Sequence, residues 1–130
     1  MECDVLLLFG KNDPWCTPAF AKRMFQSLHQ RNQEQKEKND DNNDKAPIHR
    51  YVELENVGHC PNHEAPHAVG SITSLWTSSD DRGKDVLDLL ECVNASDRQY
   101  NEDWGHISAR EVGKDEAVLT LTERIITSLV

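Results

Sequence analysis

Glu53-Leu-Glu-Asn-Val-Gly-His-Cys-Pro-Asn-His-Glu-Ala-Pro66 decides how the rest of the chain is read. The segment reads as the end of a strand, a tight turn at Gly58, an exposed His59, and a helix that starts near Pro66 and runs to about Thr77. Strand residues lie immediately before it: Ile48-His-Arg-Tyr-Val-Glu-Leu54 is rich in β-branched and aromatic side chains. Working outward, Asp4-Val-Leu-Leu-Leu-Phe9 is a short continuous apolar run bracketed by Gly10 and Pro14. Such a run suits a strand buried on both faces of a parallel sheet.

Between the two strands lies a helix. Thr17 is a natural N-cap and Pro18 fits the first helical position. Ala21, Met24, Phe25 and Leu28 recur at helical spacing and predict a core-facing stripe, with Lys22, Arg23 and Gln26 facing out. The helix is expected to end near Gln30. Residues 30–45 contain no apolar side chain, so burial cannot offset their ordering entropy, and a disordered insertion over 30–46 is expected. Strand, helix, insertion, strand is a βαβ unit, so the two strands should be parallel.

Past residue 77 the pattern is less organised. Val86, Leu89, Leu90 and Val93 form a second helical stripe, Asn94 to Gly105 is polar and reads as loop, and Ile107 to Val112 suits a short strand. Asp115 can cap a last helix to Val130 with Val118, Leu121, Ile125 and Leu129 on one side; the Thr-rich part from Ala117 to Thr122 also suits a strand. The division expected is an α/β segment over 1–77 followed by a largely helical extension over 78–130.

Composition limits the partners. The net charge of −9 argues against nucleic acid and anionic membrane, and no run approaches the length of a membrane span. Cys3, Cys16, Cys60 and Cys92 form no C-x-x-C pair and read as reduced thiols of an intracellular protein. Asn94-Ala-Ser96 matches a glycosylation sequon, read as a chance match because no secretory signal is visible. His59, Cys60, His63 and His67 invite a metal reading, but Pro61 and Pro66 interrupt the helix that would align them, and no metal or cofactor is expected. Trp15, Trp76 and Trp104 read as core or rim. His29, His49 and His106 read as isolated surface or packed histidines, and Glu64 as a cap or a partner of the turn backbone.

Asp13 lies four residues after the first strand and His59 five after the second. Turns after parallel strands collect at one edge of the sheet, where ligand and catalytic groups gather. Asp13 is thus placed to accept Nδ1–H from His59, setting its tautomer and stabilising the imidazolium.

At these residues the chain resembles a known family. Phe9-Gly-Lys-Asn-Asp-Pro-Trp15, followed by Asn56-Val-Gly-His-Cys-Pro-Asn-His-Glu-Ala-Pro-His67, looks like the C-terminal third of the α/β-hydrolase fold. The closest likeness is the plastid branch that includes pheophytinase-like hydrolases, near the epoxide-hydrolase and haloalkane-dehalogenase group. It covers roughly residues 4 to 77. The resemblance implies the last two parallel strands of that fold with flanking helices, Asp13 as triad acid, His59 as triad base and Cys60 as a small buried apolar residue. It implies a small-molecule or lipid-like ester, a phytyl-type ester in a chloroplast for a pheophytinase-like parent, as substrate. Where the family has an acidic residue, this chain has His63. The sequence contains no G-x-S-x-G or G-x-D-x-G elbow, so the nucleophile is expected outside it, together with the oxyanion hole and lid. The expectation is the C-terminal portion of a serine hydrolase, inactive alone; the alternative is a non-catalytic remnant serving as a binding or regulatory module. Two strands covered on one face also predict marginal stability.

Overall fold

The computed structural model describes residues 3–38, 47–78, 80, 84, 86, 88–91, 104–105 and 107–129. The remaining part of the expected insertion (39–46), Cys92, the expected loop with its sequon up to residue 103, and His106 lie outside the described residues.

The elements run β1 (Val5–Gly10), α1 (Pro18–Lys38), β2 (His49–Leu54), α2 (Pro61–Glu64), α3 (Pro66–Ser78), β3 (Ala109–Glu111) and α4 (Leu121–Ser128). Helical backbone is also present at residues 84, 86 and 88–91. The result is a small mixed α/β domain with a three-stranded sheet in the order β1-β2-β3. β1 and β2 are parallel, with Val5 opposite His49 and Gly10 opposite Leu54. The start of the pair is pinned where Asp4 Oδ1 accepts the Ile48 amide at 2.8 Å. β3 runs antiparallel on the other side of β2, Val52 opposite Glu111 and Leu54 opposite Ala109.

Strand alternation sends side chains to two layers. Leu6, Leu8, Val52 and Leu54 face a core shared with Ala68, Ile72 and Trp76 of α3, with Val86, Leu89, Leu90, Trp104 and Ala109. Leu7, Tyr51 and Phe9 face the other way, onto Ala21 and Phe25 of α1 with Val112 and Ala117. Fully buried Ile72 and Leu54 each contribute roughly 1.5–3 kcal/mol of transfer free energy. The sheet is therefore covered on both faces, not one. The stretch past residue 77 supplies the short strand expected within Ile107 to Val112, as β3, and side chains to both layers.

α1 continues eight residues beyond its expected end at Gln30. Residues 31–38 are helical, contrary to the disorder expected there. Gln, Glu and Lys are good helix formers, and a helix already nucleated on a docked first half propagates at little cost. Gln30 Nε2 donates to Glu34 Oε1 at 3.2 Å, one turn on.

The last helix departs most from its pattern. It begins after Thr120, not Asp115, with a capping box: Glu123 N donates to the Thr120 hydroxyl, and Thr120 N to the Glu123 carboxylate. Val118, Leu121, Ile125 and Leu129, expected on one side of it, are exposed. The helix meets α1 instead through polar groups. Lys22 Nζ pairs with Glu123 at 3.2 Å, Arg23 donates to the Thr127 carbonyl, and Gln26 Nε2 to the Ala117 carbonyl. Lys22, Arg23 and Gln26 are thus partners of the C-terminal segment, and Met24 of the expected core stripe is half exposed. No helix among the described residues is long and apolar enough to cross a membrane.

Candidate functional site

The site forms where the turns after β1 and β2 are laced together. Lys11 N donates to Leu54 O at 2.8 Å and Asn12 N to Val57 O at 2.9 Å. These bonds continue the parallel ladder past the strand ends and fix the two turns relative to each other. Close approach is possible because Gly10 has no side chain: a Cβ there would lie 2.2 Å from Gly58 O and 2.4 Å from Val57 O. The left-handed residue of the second turn is Asn56, at φ 60°, and not Gly58. Asparagine tolerates that region better than most residues.

Asp13 follows at the end of the first turn, its side chain almost fully buried. Its Oδ1 accepts the amides of Trp15 at 2.8 Å and Cys16 at 2.9 Å. Its Oδ2 lies 3.0 Å from His59 Nδ1. Burial pushes the Asp13 carboxyl up, but the two amides and His59 outweigh it and hold it below the ordinary carboxylate value. The carboxylate is thus ionised at neutral pH and aimed at the ring.

His59 is carried by a turn that Glu64 organises. The Glu64 carboxylate accepts Gly58 N at 2.7 Å and Cys60 N at 3.1 Å. α2, absent from the sequence reading, places Glu64 there one turn after Cys60; Ala65 then separates it from α3. With Nδ1 on Asp13, His59 presents its remaining ring nitrogen away from the carboxylate, and half of the side chain is open to solvent. The Trp15 ring packs over the imidazole with centroids 5.3 Å apart, tilted by 40°. A proton relay of acid and base is chemically complete up to the atom it would serve.

Both predicted site residues, Asp13 and His59, are therefore brought together. Trp76 and Trp104 are buried as expected, whereas Trp15 is 76% exposed and packs on His59. Cys60 is exposed, not buried, because the tight turn aims it outward. His63 and His67 are exposed, and no metal-ligating group at 59, 60, 63 and 67 forms among the described residues. Cys16 is the residue that sequence reasoning missed. One donor atom each from Asp13, Cys16 and His59 lie within 4.8 Å of one another. The i, i+3 spacing of Asp13 and Cys16 around a Pro-Trp pair was the available signal.

His29 and His49 pack against each other at 5.9 Å between centroids, remote from this site in the α1–β2 layer. Among the described residues, none offers a hydrogen-bond partner of good geometry to the buried ring nitrogens His29 Nε2, His49 Nδ1 and His49 Nε2. Burial lowers the affinity of both for a proton; Lys114 and His49 add to this at His29, and Arg31 adds to it at His49.

No family model, no curated protein and no solved structure matches the chain. What stands on geometry is the class: a mixed α/β domain carrying a buried carboxylate hydrogen-bonded to a half-exposed histidine at the carboxyl ends of two parallel strands.

Proposed function

We propose that these residues supply the acid and base of a Ser-His-Asp relay, as the C-terminal portion of a serine hydrolase acting on an ester or related carbonyl. The single observation that carries this reading is the 3.0 Å contact between Asp13 Oδ2 and His59 Nδ1 at the shared edge of β1 and β2. The motif resemblance over residues 4 to 77 supports it. In this reading a serine from outside these residues gives its proton to the far nitrogen of His59 as it attacks the carbonyl. Asp13 keeps the ring in the required tautomer, and His59 returns the proton to the leaving alcohol. A water then repeats the sequence on the acyl-enzyme. The fold of the parent would be the α/β-hydrolase fold, and a pheophytinase-like parent would cleave a small-molecule or lipid-like ester in a plastid.

The test starts at the transcript 5′ of the Met1 codon. An in-frame G-x-S-x-G segment is expected, and the product containing it should react with a fluorophosphonate at that serine. His59→Ala and Asp13→Asn should each slow that labelling, by roughly 10⁴-fold for the acid if it acts only through the tautomer. A transcript without such a segment together with no partner chain that supplies one, or labelling indifferent to His59→Ala, removes the proposal and leaves the non-catalytic module.

A further inference from the structure

The site holds more than a dyad. Asp13, Cys16 and His59 offer a carboxylate oxygen, a thiol sulfur and an imidazole nitrogen that lie within 4.8 Å of one another. We propose that these three side chains bind a divalent transition-metal ion of the zinc class, with Asp13 Oδ2, Cys16 Sγ and one His59 ring nitrogen as ligands.

Geometry is the first argument. A tetrahedral ion at about 2.0–2.1 Å from nitrogen and oxygen and about 2.3 Å from sulfur sets its ligand atoms roughly 3.3–3.6 Å apart. Asp13 Oδ2 and His59 Nδ1 are already 3.0 Å apart, so they need only part slightly. Cys16 needs to move its sulfur by on the order of 1 Å, which one rotation about χ1 of an exposed side chain supplies. The second argument is preorganisation. Asp13 is buried, and its other oxygen is held by the Trp15 and Cys16 amides, so Oδ2 has one direction left to face. Such outer partners orient a ligand before the ion arrives.

Donor chemistry selects the ion. A thiolate and an imidazole beside one carboxylate favour zinc, cobalt or nickel over magnesium and calcium, which want oxygen alone. Three protein ligands leave a fourth position for water on the open side of His59. Binding has a defined proton balance: Cys16 loses its thiol proton, and the ring proton at Nδ1 moves to Nε2 if Nδ1 is the ligand. The ion then stands where the shared proton stood between Asp13 and His59. Metal binding and the orienting hydrogen bond are therefore alternatives, which would make zinc an inhibitor of the relay on the acyl-transfer reading.

The experiment is a Co²⁺ titration of the full chain under a non-thiol reductant, followed by absorbance and by Zn²⁺ competition. One equivalent should raise a thiolate-to-cobalt charge-transfer band in the near ultraviolet and the visible bands of a tetrahedral site, with release of protons. Cys16→Ala should abolish the charge-transfer band while leaving the far-ultraviolet dichroism unchanged. Asp13→Asn and His59→Ala should each weaken Co²⁺ binding more than about 10-fold, the least that even an outer partner costs. Cys3→Ser and Cys60→Ser should retain the spectrum. Absence of the band in the wild-type chain, its survival in Cys16→Ala, or affinity untouched by His59→Ala overturns the proposal. The readout needs no nucleophile, so its failure leaves the acyl-transfer reading standing, and the reverse also holds.

Discussion

Replacing Gly10 by alanine should uncouple the site from the sheet. A Cβ at this position meets three backbone atoms: Gly58 O at 2.2 Å, Val57 O at 2.4 Å and Val57 C at 2.8 Å. Real Cβ contacts stay above 3.0 Å, so the Gly58 carbonyl must retreat by at least 3.0 − 2.2 = 0.8 Å. No flexible side-chain tip can absorb that movement, and Gly58 is the residue before His59. The Asn12-to-Val57 bond that laces the two turns lies on the same backbone. Overpacking of this kind costs about 1–3 kcal/mol, and the upper end applies because both partners are main chain. If the shift is passed on to His59, its 3.0 Å contact with Asp13 opens to 3.0 + 0.8 = 3.8 Å, beyond hydrogen-bond reach. Urea unfolding analysed by linear extrapolation measures the first effect, and ¹⁵N spectra of the His59 ring, which report its tautomer, measure the second. Gly70→Ala is the internal control: the glycine is exposed within α3, no neighbour among the described residues lies within 4 Å of its added Cβ, and the change should stabilise by about 0.5–1 kcal/mol. A Gly10→Ala protein within about 0.5 kcal/mol of wild type, with an unaltered His59 spectrum, refutes this account of how the two turns are held.

Acid should loosen the α1–β2 layer before it touches the carboxylates. His29 and His49 have folded pKa values below their unfolded ones through burial, so the unfolded chain binds more protons and stability rises with pH. The thermal midpoint should therefore hold above about pH 6.5 and drop as pH falls below it, an effect reduced in His49→Phe; a midpoint that climbs on mild acidification contradicts it. Asp13, held low, contributes above its unfolded value and is lost only as pH falls further, through its folded value. Thr120→Ala removes one half of the capping box of α4 and should cost about 0.5–2 kcal/mol, read by chemical denaturation, with the loss confined to the C-terminal segment in hydrogen exchange. Glu64→Ala frees the Gly58 and Cys60 amides and should broaden or shift the His59 ring signals while leaving α3 helical; an unchanged His59 environment would mean that the turn holds itself.

Local patterns were legible wherever neighbouring residues alone set the outcome. The continuous apolar run from Val5 to Phe9, bracketed by Gly10 and Pro14, favoured a strand, and Pro18 and Pro66 suited the first positions of helices. The βαβ order made β1 and β2 parallel, and parallel strands carry their following turns to one edge, so Asp13 and His59 could be paired before any coordinate existed. Long-range choices were not legible. Whether the stripe of Leu121, Ile125 and Leu129 faces inward depended on which side of α1 remained for α4, and polar contacts from Lys22, Arg23 and Gln26 took the position that periodicity alone assigns to apolar packing. Ala109–Glu111 is too short to declare its partner, and only β2 with one free edge gave it a place. Cys16 reached Asp13 and His59 because the buried Asp13 carboxylate drew the Trp15 and Cys16 amides around itself; the i, i+3 spacing hints at the approach to Asp13 but not at the approach to His59. The chain by itself determined the two parallel strands, the helices that open at Pro18 and Pro66, and the acid–base pair, since these follow from period, caps and strand direction. Tertiary structure alone decided which faces are covered and which third donor joins the pair, because those follow from competition between segments far apart in sequence for the same surface.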